Sequence, residues 1–146
     1  MTAPAKILLL SLLLPAVAPA TSTQISADQP VINFRLPTFT PEGYRSWLVR
    51  GSEARFPLPN QIDVRELNLT IFSGKADGKI DTVILSPLAR VLPDDSVATG
   101  TGTIRVINDE FEATGTGWRY EHKAKKVYLA RNVRVTFRAE LKDILK

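Results

Sequence analysis

The chain contains no cysteine. That absence removes disulfide bonds, thiolate nucleophiles, zinc–thiolate centres and lipidation of an amino-terminal cysteine. Histidine occurs once, at His122, between Glu121 and Lys123. A lone imidazole in so charged a stretch reads as a solvated turn residue before it reads as a base or a metal ligand. Long apolar runs are also missing. The richest, Ile7 to Leu14, stops at Pro15 after eight residues, where a membrane-spanning helix needs roughly 20. Helical patterning is confined to a short tail, Ala139 to Lys146. The serines at Ser52 and Ser86 lie in no nucleophile elbow, and no helix follows Thr99-Gly-Thr-Gly102 to make it a phosphate cradle. Asp94-Asp95 and Asp109-Glu110 fall where turns favour acids and lack the ligand spacing of a calcium loop. The sequence therefore offers no catalytic constellation, no metal site and no cofactor motif.

What is present begins with an export signature. Lys6, the apolar Ile7 to Leu14, and Ala18-Pro-Ala20 form a charged, an apolar and a small-x-small segment, which predicts cleavage after Ala20. An uncleaved inner-membrane anchor is the competing reading. The resulting organisation is a signal peptide over 1–20, a flexible polar lead-in over 21–30, a β domain over 31–138 and a tail over 139–146. The 146 residues, 44% hydrophobic and 23% charged, suit one globular domain with a real core. The formal net charge of +4, part of which leaves with Lys6, is too small for a nucleic-acid binder. Lys123, Lys125, Lys126, Arg131, Arg134 and Arg138 cluster near the end as a solvated face or a contact for lipid phosphates.

The β signal comes from alternation and repetition. Ala98-Thr-Gly-Thr-Gly102 recurs as Ala113-Thr-Gly-Thr-Gly117, fifteen residues later, a step that fits corresponding points on successive antiparallel strands. Ile104-Arg-Val106 recurs as Val133-Arg-Val135, close to twice that step. Strands are expected at Ile32 to Leu36, closed by Pro37, then at Tyr44 to Val49, Leu67 to Ile71, Ile80 to Leu85 and Thr103 to Ile107. Pro57 and Pro59 are expected to bar a long regular element between the second and third. Asn108-Asp109 marks a hairpin returning through Phe111 and Ala113, and Trp118 to Tyr120 forms a further outgoing segment. Val127 and Leu129 come back, Ala130-Arg-Asn132 bends the chain, and Val133, Val135 and Phe137 face one way. Evenly spaced strands with glycine-marked turns imply an all-β open sheet stack, a sandwich or a jelly roll.

Several motifs carry a family resemblance. Gly43-Tyr-x-x-Trp47-x-x-x-Gly51-x-x-Ala54, Val64-x-x-Leu67-x-Leu69, Glu112-Ala-Thr-Gly115 with Tyr120, and Lys126-Val-Tyr-Leu-Ala130-Arg-Asn-Val133-Arg-Val135 resemble periplasmic lipopolysaccharide-export proteins. These are the LptC-type and OstA/LptA-type β-jellyroll proteins, and the likeness covers roughly Phe34 to Phe137. Where such rungs commonly bend through Gly-Asn-Val, Arg131 here precedes Asn132-Val133. The resemblance implies an open, V-shaped antiparallel jelly roll, non-enzymatic, carrying lipopolysaccharide or a related glycolipid between the inner and outer membranes. It further implies edge-strand pairing with other jelly-roll proteins of the bridge, an inner-membrane ATP-binding cassette transporter as a partner, and no nucleic acid. The inner face then consists of Trp47, Leu69, Ile104, Val106, Phe111, Val127, Leu129, Val133, Val135 and Phe137; taken singly each reads first as core packing, and the lipid reading belongs to the face as a whole. A secreted β-sandwich that binds polysaccharide or a surface protein is the alternative function.

Overall fold

A computed structural model describes residues 29–138, all of which are strand, turn or loop. The expected signal peptide, most of the lead-in and the helical tail lie outside the described residues. Seven strands follow one another: β1 (Val31–Phe39), β2 (Arg45–Leu58), β3 (Gln61–Phe72), β4 (Ile80–Leu92), β5 (Val97–Asn108), β6 (Phe111–Glu121) and β7 (Lys126–Phe137). They form one antiparallel sheet in sequence order, β1 to β7, with β1 and β7 at its edges. Short turns dictate this meander, because links of two to seven residues return each strand to its antiparallel neighbour. Asn108 fastens one such turn, its Oδ1 accepting from the N–H groups of Glu110 and Phe111 at 2.9 and 2.8 Å.

The strands are longer than local alternation suggests, and three prolines lie inside them. Pro37 does not close the first strand: β1 continues to Phe39, since an edge strand has one neighbour and alternate N–H groups need no partner. Pro57 lies within β2, where the ladder to β3 lapses between Arg55 and Leu58. Pro87 sits in the middle of β4, where pairing with β5 lapses between Leu85 and Arg90. Likewise Phe111 to Ala113 and Trp118 to Tyr120 belong to one strand.

A crease running across all the strands explains why the pattern breaks. Asn33, Glu66 and Asn132 have positive φ of 53°, 50° and 51°, and Gly117 has 71°. The register places Asn33 opposite Ser52 and Glu66 opposite Pro87. Register shifts continue the same line between Gly100 and Thr103 in β5 and between Thr114 and Thr116 in β6, reaching Asn132 in β7. The two copies of the Ala-Thr-Gly-Thr-Gly phrase therefore run to the crease from opposite leaves, Ala98 lying opposite Tyr120 and Ala113 opposite Val106. Along this line the alternation slips by one residue, through left-handed Asn33 and Glu66 at unchanged register in β1 to β3 and through register shifts in β4 to β7. In β3 the buried set is Ile62 and Val64, then Leu67, Leu69 and Ile71; in β6 it is Ala113, then Trp118 and Tyr120. A reading that assumes unbroken period two stops at such a slip.

Folding along the crease brings the sheet's two halves face to face as leaves. The first leaf holds Trp47 of β2, whose ring lies 6.3 Å from Tyr120 on the second leaf. Its apolar rank crosses every strand in register: Leu36, Val49, Leu69, Ile84, Val106, Ala113 and Val135. The facing leaf supplies Ile62, Val91, Ala98, Tyr120 and Val127 in a second rank. Gly100 marks a close approach, because a Cβ there would collide with the Trp118 indole and lie 2.9 Å from the Leu88 carbonyl oxygen. Trp118 fills that space and donates its Nε1–H to Ser86 Oγ at 3.2 Å.

Candidate functional site

The first-leaf rank shows where the two leaves stop touching. Val49, Leu69 and Ile84 are fully buried and Val106 and Ala113 are 3% exposed, yet Val135, next in the same rank, is 44% exposed. The leaves are closed over β2 to β6 and part at β7. In that opening lies a cavity of about 490 Å³, within the 300–1,000 Å³ typical of small-ligand sites. Ile71, Val106, Phe111, Ala113 and Val135 line it from one leaf and Tyr120, Val127 and Leu129 from the other. Asp81, Thr82, Asn108 and Lys125 supply its polar rim.

Of the residues anticipated for an inner face, Val106, Phe111, Val127, Leu129 and Val135 are brought together at this opening. Trp47, Leu69 and Ile104 lie instead in the closed core. Val133 and Phe137 are 51% and 71% exposed on the free part of β7, and the Phe137 ring meets Phe111 edge-on at 6.3 Å. Ile71, Tyr120 and the rim pair Asp81 and Lys125 complete the site. Alternation could have supplied Ile71, but only the folding of the leaves brings the others to it.

His122 is not a solvated turn residue. It is half-buried at the end of β6, stacked on Trp47 with 5.0 Å between ring centroids and 10° between planes. Its Nε2 lies 2.6 Å from Ser46 Oγ and its Nδ1 2.8 Å from the Tyr120 hydroxyl. Which group donates in each pair follows from the imidazole tautomer. Through these two contacts His122 ties Ser46 on the first leaf to Tyr120 on the second. Burial, with a smaller contribution from the Lys125 charge, lowers the His122 pKa to about 4. Burial, and then Asp81, pushes the Tyr120 hydroxyl up, so both groups are neutral near pH 7. Lys125 adds a second tie by donating from Nζ to the Phe72 carbonyl at 3.5 Å; burial lowers its pKa, partly offset by Asp81.

Among the described residues no group of three or more His, Cys, Asp or Glu side chains could hold a metal ion, and no helix is long and apolar enough to cross a membrane. No curated protein matches the chain. A family model does: the one described as lipopolysaccharide-assembly, LptC-related, over residues 13–138. That match takes in all seven strands, the crease and the opening at β7, and the chain belongs to the LptC family of lipopolysaccharide-assembly proteins.

Proposed function

We propose that this member of the lipopolysaccharide-transport bridge is a periplasmic carrier that takes the acyl chains of lipopolysaccharide, or of a related glycolipid, between its leaves at β7. The observation that carries the reading is the change in burial along one rank, from 3% at Val106 to 44% at Val135, beside an apolar cavity with a polar rim. The protein acts by binding and release. The aliphatic surface of the opening favours acyl chains through the hydrophobic effect, at about 25 cal/mol per Å² removed from water. The β7 edge adds the second property of a bridge, an unpaired row of backbone donors and acceptors on which another jelly-roll protein extends the sheet.

Site-specific photocrosslinking in cells tests the carrier role. Probes at Phe111, Leu129 and Val135, which line the cavity, should capture glycolipid. Probes on the opposite face, at Glu112, Arg134 and Thr136, should not. Equal labelling of both faces, or labelling of neither, would refute the assignment.

A further inference from the structure

The face of the first leaf turned away from the core carries an arrangement that its own stability does not explain. Arg35, Arg50, Asn68, Leu85, Arg105, Thr114 and Arg134 are register partners in succession, one per strand, so four arginines stand on a single line across the sheet. Arg35 and Arg50 are directly opposite each other, and like charges so placed destabilise a sheet. Arg35 and Arg134 are exposed, and among the described residues neither lies within ion-pair distance of a carboxylate. Arg50 is half-buried: Nη2 donates to Asn68 Oδ1 at 3.3 Å, while its Nε is buried without a partner. Only Arg105 has an acid, Glu112, which it shares with Arg138.

The second leaf's outer face differs. There Arg55, Arg90 and Arg119 pair with Glu53, Asp63 and Glu121 at 2.9 to 3.0 Å. Next to the arginine line on the first leaf, Leu48, Val83 and Ile107 form a half-buried aliphatic row in the neighbouring rank. Arg65 on that face has no carboxylate within ion-pair distance among the described residues but stands opposite Glu53 in register, so the second leaf's outer face mixes both signs, whereas the first leaf's ranks four arginines beside aliphatic side chains. A local rule broken without compensation within the fold points to an external counter-charge.

We propose that this outer face of the first leaf docks on an anionic bilayer surface, its arginines engaging lipid phosphates. Guanidinium groups bind phosphate bidentately, and the neighbouring aliphatic row suits the boundary between headgroups and acyl chains. The dimensions favour a surface over a small molecule. Six strand gaps of about 4.8 Å put roughly 29 Å between the ends of the line. This docking is separate from the cavity at β7, which opens between the leaves, and holds or fails independently of cargo binding there.

Vesicle co-sedimentation with the full chain tests the proposal. Vesicles of phosphatidylcholine alone should retain little protein in a salt-dependent manner, and vesicles containing phosphatidylglycerol should retain more at low salt than at high salt. Arg35→Gln with Arg134→Gln should weaken binding to the anionic vesicles about twenty-five-fold, about fivefold for each arginine. Lysine at both positions should restore most of it. Arg90→Gln with Arg119→Gln, which removes the same charge from the other leaf, should leave binding nearly unchanged. All variants share the amino-terminal apolar segment, so differences among them report the arginine line. Should the double variant melt early, Arg134→Gln alone, at the free edge, should still show its fivefold loss. Absence of a preference for phosphatidylglycerol, an unaffected Arg35/Arg134 variant, or an equal loss in the Arg90/Arg119 control would each overturn the proposal.

Discussion

Val106 and Val135 pair with the same residue, Ala113, from opposite sides, so truncating each to alanine asks one question in two surroundings. Val106 is 3% exposed. Removing two buried carbons at about 0.8 kcal/mol each, plus a cavity penalty, predicts a loss of roughly 2–3 kcal/mol. Val135, 44% exposed in the same rank, has already kept nearly half its surface in water. It should lose about 0.5–1 kcal/mol, with little cavity penalty at an open mouth. At roughly 4 °C per kcal/mol for a domain of this size, the melting temperature should fall by about 10 °C for Val106→Ala and about 3 °C for Val135→Ala. Thermal unfolding followed by circular dichroism reads the difference. A parallel pair sharpens it: Val135→Glu should fold and fail to capture glycolipid, whereas Val106→Glu should not fold, because a buried carboxylate there has no partner. Equal destabilisation by the two alanine variants would mean that β7 is as tightly covered as β5, and the opening would not exist.

Three further outcomes follow from other parts of the molecule. Gly100→Ala forces a methyl group into the Trp118 indole and the Leu88 carbonyl; overpacking plus disturbance of the Trp118 to Ser86 hydrogen bond should cost about 2–4 kcal/mol in urea unfolding. Gly102→Ala, with nothing within 4 Å of the new Cβ, should stay close to the parent, and similar losses in both would refute the close-approach argument. The folded-state pKa of His122, about 4 against an ordinary 6.5, means that the unfolded chain takes up its proton first as pH falls. Its contribution is complete above pH 6.5 and is lost on descending toward pH 4; discounted for the ring's partial exposure, the loss is about 1–2 kcal/mol. Stability measured from pH 7 to 5, where the carboxylates titrate little, should decline in the parent and remain flatter in His122→Gln; parallel curves would refute the assignment. Amino-terminal sequencing of the exported protein should find Thr21 first, and retention of Met1 would favour an anchored form.

The all-β class and the open antiparallel architecture were legible in the sequence, because side-chain alternation directly reports a half-buried strand; the number of strands was not, since β6 and β7 each read as two segments. The two repeated phrases were also informative. Each Ala-Thr-Gly-Thr-Gly phrase runs from a buried alanine, Ala98 or Ala113, to the crease, and Val106 and Val135 flank Ala113, so both echoes mark related positions in the sheet. Strand ends were less legible. Prolines 37, 57 and 87 suggest interruption to a local reading, yet each sits at an edge or where a ladder already lapses. His122 was misread because its neighbours in sequence, Glu121 and Lys123, are charged, while its neighbours in space are Trp47, Ser46 and Tyr120.

By itself the sequence determined the local conformation: which segments extend, where they turn, and which side chains share a face on either side of a bulge. Those properties depend on residues a few positions apart. Only the tertiary structure decided which parts of the apolar face close on each other and which remain open. Trp47, Leu69 and Ile104 bear the same alternation as Val133, Val135 and Phe137, yet the first three are sealed in the core and the last three are exposed. A central strand is flanked by neighbouring strands on both sides, whereas an edge strand has a neighbour on one side only, and no periodicity within a strand encodes its place in the sheet. The four arginines make the same point: separate in sequence, they become one line of charge only when antiparallel register brings Arg35, Arg50, Arg105 and Arg134 into a common rank.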